Sequence, residues 1–114
     1  MTARPAYKSH PLWQSAMALT RDAYALADRV KERSPDAARG LRKAAVAVPA
    51  HLAAAVSDRR EDRGEHALAA RSALAEVIRQ ASRVQGEDSR DLARQAETLD
   101  LSVLFELGRA DVFR

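Results

Sequence analysis

The chain has 114 residues with 19 basic and 16 acidic side chains, and it contains no cysteine. This length predicts one domain with a modest core, and the lack of cysteine excludes a disulfide framework, a thiolate nucleophile and a cysteine-bound metal. The net charge of +3 is compatible with a polyanionic partner but does not require one. No apolar run has the length of a signal peptide or a membrane span, so we expect a cytoplasmic protein without membrane contact.

Alanine accounts for 25 residues, which leaves few large apolar side chains to fill a core. Alanine favours long helices and lets them approach closely. A single subunit of this composition has a thin core, so we expect other copies of the chain to complete its packing. The composition therefore predicts a homo-oligomer.

The first predicted helix spans 11–33. Its apolar side chains recur at alternating spacings of four and three from Leu12 to Val30, which is the pattern of a helix that buries one face. Ser9 is the predicted N-cap. Pro11 is tolerated in the first turn because the amide that it lacks has no helical partner there.

The second predicted helix spans 36–57 and has a proline in its interior. Ser34 supplies the cap, Pro35 occupies the first turn, and the apolar side chains again recur at spacings of three and four. An interior proline costs roughly 3 kcal/mol, because it deletes a backbone hydrogen bond and its ring clashes with the preceding turn. Since alanine-rich sequence continues on both sides, we predict one long helix that is kinked at Pro49.

The second half of the chain predicts two more helices, at 62–85 and 89–108. The charged segment 57–64 lacks apolar anchors and ends in a glycine, so it is interpreted as a turn followed by a frayed helix start. Gly86 is predicted to close the third helix as a left-handed cap. Four helices joined by short connections make antiparallel neighbours. We therefore predict an all-α fold, an up-down-up-down four-helix bundle that forms a single domain over 1–114.

The sequence offers little for catalysis or metal binding. Asp62 and His66 are interpreted as a solvated pair and His51 as a packing residue, since none belongs to a metal-ligand motif. No nucleophile elbow and no glycine-rich phosphate loop is present. Trp13 and Tyr24 have spacings typical of core or interface residues. We expect no catalytic residue, no metal and no cofactor; an enzyme built around His51 at a subunit junction is the weakest alternative.

Two groups of basic residues are the candidate binding site. Three lie on adjacent turns of the second helix and three follow at its far end: Arg39, Arg42, Lys43, Arg59, Arg60 and Arg63. Repeated around a ring of subunits, these residues would form a positive surface that binds nucleic acid with a steep salt dependence. The alternative is an ordinary solvated face, because acidic residues interrupt the second group. Few aromatic residues are available for stacking, so binding would be directed to the backbone and weakly sequence-selective.

Three segments carry a resemblance to a known family. They are Tyr7-Lys8 with Leu12-Trp13-Gln14-x-Ala16-Met17, then Leu41-Arg42-Lys43-Ala44-Ala45-Val46-Ala47-Val48-Pro49-Ala50, then Ala70-x-Ser72-Ala73-Leu74-x-Glu76-Val77. In this order they resemble the bacterial four-helix-bundle family that includes the proteins encoded in intervening sequences of large-subunit ribosomal RNA genes. The family is similar to the accessory protein of diversity-generating retroelements.

The resemblance implies a homopentameric ring of four-helix bundles. For the retroelement relatives it implies contact with reverse transcriptase and nucleic acid through a basic surface, and Arg42 and Lys43 occupy the positions of the family's paired basic residues. After Pro49 the family usually has Asn-Ile-Ala-Glu-Gly, whereas this chain has a histidine, a leucine and three alanines at 51–55. In the third helix the family's Gly-Ser is replaced by serine and alanine at 72–73. A polar patch of the family is thus partly lost.

We therefore predict a non-catalytic, ring-forming bundle that binds nucleic acid, RNA in preference to DNA, through its basic residues. The alternative is a homo-oligomeric protein-interaction scaffold with no nucleic-acid role. In that case the fourth helix would recruit a protein partner through apolar residues that exceed the needs of one packing seam: Leu101, Leu104 and Phe105.

Overall fold

The computed structural model describes residues 6–57 and 60–108. These residues form a 3₁₀ turn, four α-helices and a closing π-helical turn. In chain order the elements are the 3₁₀ turn Ala6–Ser9, α1 Pro11–Val30, α2 Pro35–Ser57, α3 Arg60–Ser82, α4 Glu87–Val103 and the π-helical turn Leu104–Gly108. No strand is present in these ranges, and the predicted all-α class is confirmed.

The four helices pack in a closed cycle in chain order. α1 packs against α2, α2 against α3, α3 against α4, and α4 returns to α1. Because each connection is short, successive helices run antiparallel, and the architecture is the predicted four-helix bundle. Two outer faces of this cycle, the α1–α2 face and the α3–α4 face, therefore lie on opposite sides of the bundle.

The apolar residues that recur at spacings of three and four line the core, and Val56, the last of them in α2, is only partly buried. Twelve of the 26 buried apolar residues in the described ranges are alanines, and none is aromatic. The largest fully buried side chains are leucines and valines. The helices therefore approach closely, and the volume inside one subunit is small.

The start of α1 differs from the prediction. His10, rather than Ser9, is the N-cap, and its Nδ1 accepts a hydrogen bond from the Leu12 amide at 3.1 Å. Ser9 belongs to the preceding 3₁₀ turn, which the His10 amide closes by donating to the Tyr7 carbonyl. The imidazole thus provides the acceptor that serine was expected to supply.

The connection between α3 and α4 also differs from the prediction. α3 ends at Ser82, and Gly86 does not cap it; Gly86 is instead the N-cap residue of α4, with a φ of 132° that favours glycine. Ser89 Oγ donates to the Gly86 carbonyl at 2.9 Å. Two acidic residues occupy the first turn, where they face the positive end of the helix dipole, and α4 therefore begins earlier than predicted.

The charged segment between α2 and α3 contains less turn than predicted. α3 begins at Arg60, so Gly64 lies inside the helix instead of ending the turn. Asp58 and Arg59 lie outside the described residues. Glycine costs about 1 kcal/mol in a helix interior, and the apolar residues further along α3 outweigh that cost by packing into the core.

α2 continues without a break through Pro49. Proline has no amide proton, so the carbonyl of Ala45, four residues earlier, lacks its usual helical donor. Thr20 of α1 supplies a hydroxyl at this position: its Oγ1 lies 3.1 Å from the Ala45 oxygen and 2.8 Å from the oxygen of Ala16. The single hydroxyl proton is shared between these two carbonyls, so Thr20 offsets the cost of the proline in part.

Candidate nucleic-acid interface

The two predicted basic groups lie at opposite ends of α2. The first, 39–43, lies near the N-terminus of α2, whereas Arg63 of α3 donates from Nε to the carbonyl of Ala55 at 3.3 Å. Positions 42 and 55 are about 20 Å apart along a helix with a rise of 1.5 Å per residue. Arg59 and the side chain of Arg60 lie outside the described part of the structure. Arg63 stabilises the C-terminus of α2, and it does not join the first group.

The three cations of the first group have different surroundings. Arg39 forms an ion pair with Asp36. The Arg42 guanidinium lies 6.0 Å from the centre of the Tyr24 ring, which places Arg42 on the α1 side of α2. Lys43 is exposed and lines the groove on the α3 side, and it has no ion pair within the described ranges. Only part of the predicted patch therefore faces one direction.

A surface groove of about 380 Å³ separates the outer faces of α2 and α3. Its floor consists of small residues, while its charged and polar groups come from both helices. The lining residues are Gly40, Lys43, Ala44, Ala47, Ala73, Glu76 and Gln80. Three alanines from the two helices make most of this floor, and Gln80 covers Gly40.

A hydrogen-bonded chain of side chains borders the groove on α3. Arg83 Nη1 donates to Gln80 Oε1 at 2.8 Å, Gln80 Nε2 donates to Glu76 Oε2 at 2.7 Å, and Arg79 Nε donates to Glu76 Oε1 at 3.0 Å. The hydrogen bond from Arg79, followed by that from Gln80, lowers the pKa of the Glu76 carboxyl below its ordinary value. Glu76 therefore remains ionised at neutral pH and orients Arg79 and Gln80 at the edge of the groove, and Gln80 in turn holds Arg83.

Gly40 allows this chain to form. Gln80 is 6% exposed and packs directly across Gly40. A Cβ atom at position 40 would lie 2.5 Å from Gln80 Cδ and 2.7 Å from its Oε1. Any larger residue at position 40 would displace the amide, so the glycine sets the close approach of α2 and α3 at this point.

We give the name basic groove to Lys43, which lines this groove, together with the charged residues that are bonded to its lining or stand one helical turn from it. Its members are Arg39, Lys43, Arg79 and Arg83 with Asp36 and Glu76. Four positive and two negative charges leave a net charge of +2. Sequence reasoning missed Arg79 and Arg83, although their spacing of four on the polar side of the third predicted helix placed them on one face.

Other candidate chemistry is sparse in the described ranges. They contain no group of three or more histidine, aspartate or glutamate side chains placed to hold a metal ion. Asp62 and His66 stand one turn apart on α3, and His51 is half-buried on α2. None of the helices described has the length and apolar character needed to cross a bilayer.

The fold and the groove together define the class of the protein, an all-α four-helix bundle with a basic inter-helix groove. Comparisons with protein families, with curated proteins and with solved structures find no match to this chain. The family resemblance of the three sequence segments stays a prediction. Function is therefore argued from the groove itself.

Proposed function

We propose that this chain is a non-catalytic, cytoplasmic protein that binds the backbone of nucleic acid along the basic groove between α2 and α3. One observation carries the proposal: Lys43 of α2 lines the groove beside a floor of small residues, Arg79 and Arg83 of α3 are bonded to side chains that line it, and Arg39 stands one helical turn from Lys43. Lys43 has no ion pair among the described residues, and Arg83 is bonded to an amide. These two cations are available to phosphates.

The chemistry of the groove favours contact with phosphates over contact with bases. Guanidinium and ammonium groups bind phosphate oxygens without reading sequence. No aromatic side chain lines the groove, so stacking platforms for bases are lacking there. Binding is therefore weakly sequence-selective, and we place RNA before DNA because of the relatives that the sequence resembles.

Self-association is part of this proposal. A net charge of +2 per groove gives weak binding to one strand, whereas several grooves on one assembly bind the same polyanion with high effective concentration. The thin core of one subunit supports such an assembly, and the resemblance implies five copies in a ring.

The test is fluorescence anisotropy of labelled RNA and DNA oligomers titrated with the protein at several salt concentrations. The test variant carries Lys43→Gln and Arg83→Gln. Each lost phosphate contact reduces the slope of log K against log salt by roughly 0.7 on a single strand. We therefore expect the slope to fall by about 1.4 per engaged subunit when both contacts are lost.

Two matched variants serve as controls. Arg90→Gln removes an exposed cation of α4 that has no ion pair in the described structure, and Arg63→Gln removes the cation that bonds the Ala55 carbonyl. Both should bind as the wild type does. The proposal is overturned if the wild type does not bind at low salt, or if either control weakens binding as much as the double variant.

The second candidate function is a protein-interaction scaffold. It is favoured by the exposure of Leu101 and Phe105, which are 65% and 67% accessible on the outer surface near the end of α4. A scaffold contact of this kind would hold or strengthen at high salt, whereas phosphate binding weakens. Absence of nucleic-acid binding by the wild type would make this function the leading one.

A further inference from the structure

The exposed large apolar side chains of the described structure form two groups on opposite sides of the bundle. Tyr24 and Val46 belong to the α1–α2 side, and the remaining four belong to the α3–α4 side: Leu68, Leu101, Leu104 and Phe105. A monomer gains nothing from exposing such groups in clusters, and clusters of this kind mark interaction sites.

The first group, with its neighbouring cations, is called here the tyrosine face. It consists of Tyr24, Val46, Arg21 and Arg42. Tyr24 is 42% exposed and Val46 is 50% exposed. Arg42 lies over the Tyr24 ring and one helical turn before Val46, so α1 and α2 contribute to one continuous surface. Arg21, three residues before Tyr24, has no ion pair in the described ranges.

Acidic groups neutralise the tyrosine face only in part. Asp28, one turn after Tyr24 on α1, is bound by Lys31 at 2.8 Å, and its charge also interacts with that of Arg42. Asp22 lines the groove on the other side of α1, toward α4. Lys31 compensates the charge of Asp28, so the two arginines leave the tyrosine face positive.

The second group, with its neighbouring carboxylates, is called here the leucine face. Its apolar members are Leu68, Leu101, Leu104 and Phe105, and its carboxylates are Glu65 and Glu97. Leu68 is 63% exposed and Leu101 is 65% exposed. Arg71 of α3 donates to Asp100 of α4 at 2.9 and 3.3 Å, which sets the register of the two helices.

This register brings the leucines together. Leu68 lies one turn before Arg71, and Leu104 lies one turn after Asp100. Because α3 and α4 are antiparallel, one turn back along α3 and one turn forward along α4 lead toward the same end of the bundle. Leu68 and Leu104 therefore lie on either side of the α3–α4 seam.

Negative charge flanks the leucine face. Glu65 lies three residues before Leu68, and Glu97 lies four residues before Leu101. Neither carboxylate has an ion pair in the described part of the chain, whereas Asp100 is neutralised by Arg71. The leucine face is therefore complementary to the tyrosine face in both apolar character and charge.

We infer that the leucine face of one copy docks on the tyrosine face of the next copy, in a head-to-tail contact between opposite sides of the bundle. The inference rests on the proposed self-association and assigns its interface. A contact between two different faces is heterologous, so the two end copies of a growing assembly each keep one open face unless the copies close into a ring. Arg42 then belongs to the assembly contact, and the basic groove between α2 and α3 stays open to nucleic acid.

The test uses two variants of the full chain, each with one altered face. Val46→Glu places a carboxylate on the tyrosine face, where it repels Glu65 and Glu97 of the neighbouring copy. Leu68→Asn with Leu101→Asn removes the most exposed leucines from the leucine face. Ala25→Glu, at an exposed position of α1 beside α4, is the matched control.

Each protein is examined by sedimentation velocity at a concentration where the wild type is assembled, with circular dichroism confirming helicity. We expect each face variant alone to sediment as a monomer and the control to sediment as the wild type does. A 1:1 mixture of the two face variants should sediment as a dimer, with twice the monomer mass, because one intact leucine face meets one intact tyrosine face. The assembly does not grow beyond the dimer, because the two faces that remain exposed are the altered ones.

Three results would overturn the inference. If the wild type is assembled and both variants remain assembled, the interface lies elsewhere while self-association stands. If one variant alone dissociates and the mixture forms no dimer, the contact joins identical faces. If the wild type is itself monomeric at concentrations up to the limit of solubility, the proposed self-association fails together with its interface.

Discussion

The close contact between Gly40 and Gln80 predicts that Gly40→Ala changes stability in opposite directions in two backgrounds. An alanine Cβ would lie 2.5 Å from Gln80 Cδ, so the Gln80 side chain has to shift. We expect this shift to break its two hydrogen bonds, to Glu76 and from Arg83. Each contributes about 1 kcal/mol, while alanine in place of a helix-interior glycine gains about 1 kcal/mol. We expect a net loss of about 1 kcal/mol in the wild type.

The Gln80→Ala background removes the obstructing side chain. There the same Gly40→Ala change retains only its helix-propensity gain, so it should stabilise the protein by about 1 kcal/mol. The coupling free energy between the two sites is then about 2 kcal/mol. Urea unfolding followed by far-ultraviolet circular dichroism measures all four proteins. Equal effects of Gly40→Ala in both backgrounds would refute the packing of Gln80 across Gly40.

Two further predictions concern hydrogen bonds between and within helices. Thr20→Val should lower the free energy of unfolding, measured in urea, by about 1 kcal/mol. In a Pro49→Ala background the loss should be less than half of that, because the new amide of residue 49 donates to the Ala45 carbonyl. An equal loss in both backgrounds would argue against Thr20 as a donor to Ala45. The pKa of Glu76 is lowered chiefly by its hydrogen bond from Arg79. The ionised Glu76 carboxylate therefore stabilises the folded state at pH values above its ordinary pKa of 4.5, and this stabilisation is lost as the pH falls through the pKa of the folded state. In Arg79→Gln the urea concentration at the unfolding midpoint should therefore decrease less between about pH 5 and pH 3 than it does in the wild type. An equal decrease in both proteins would contradict the assignment of the lowered Glu76 pKa to Arg79.

The basic residues show where prediction from sequence ends. The spacing of Arg39, Arg42 and Lys43 on successive turns predicted a common patch, yet a spacing of three or four covers a broad arc of the helix surface. Side chains on such an arc can face different neighbouring helices. Arg42 turns toward Tyr24 of α1, and Lys43 toward the groove with α3.

The helices, their buried faces and the all-α class follow from the sequence alone, because the recurrence of apolar residues every three or four positions is a local property. Even the uninterrupted passage through Pro49 was indicated by the alanine-rich sequence on both sides. The partners of each polar group depend on tertiary structure. Lys43 and Arg83 are forty positions apart, and they border one groove only because α2 and α3 run antiparallel and Gly40 admits Gln80 between them. Which charges share a surface is decided by helix packing and register, and no local pattern in the sequence encodes these.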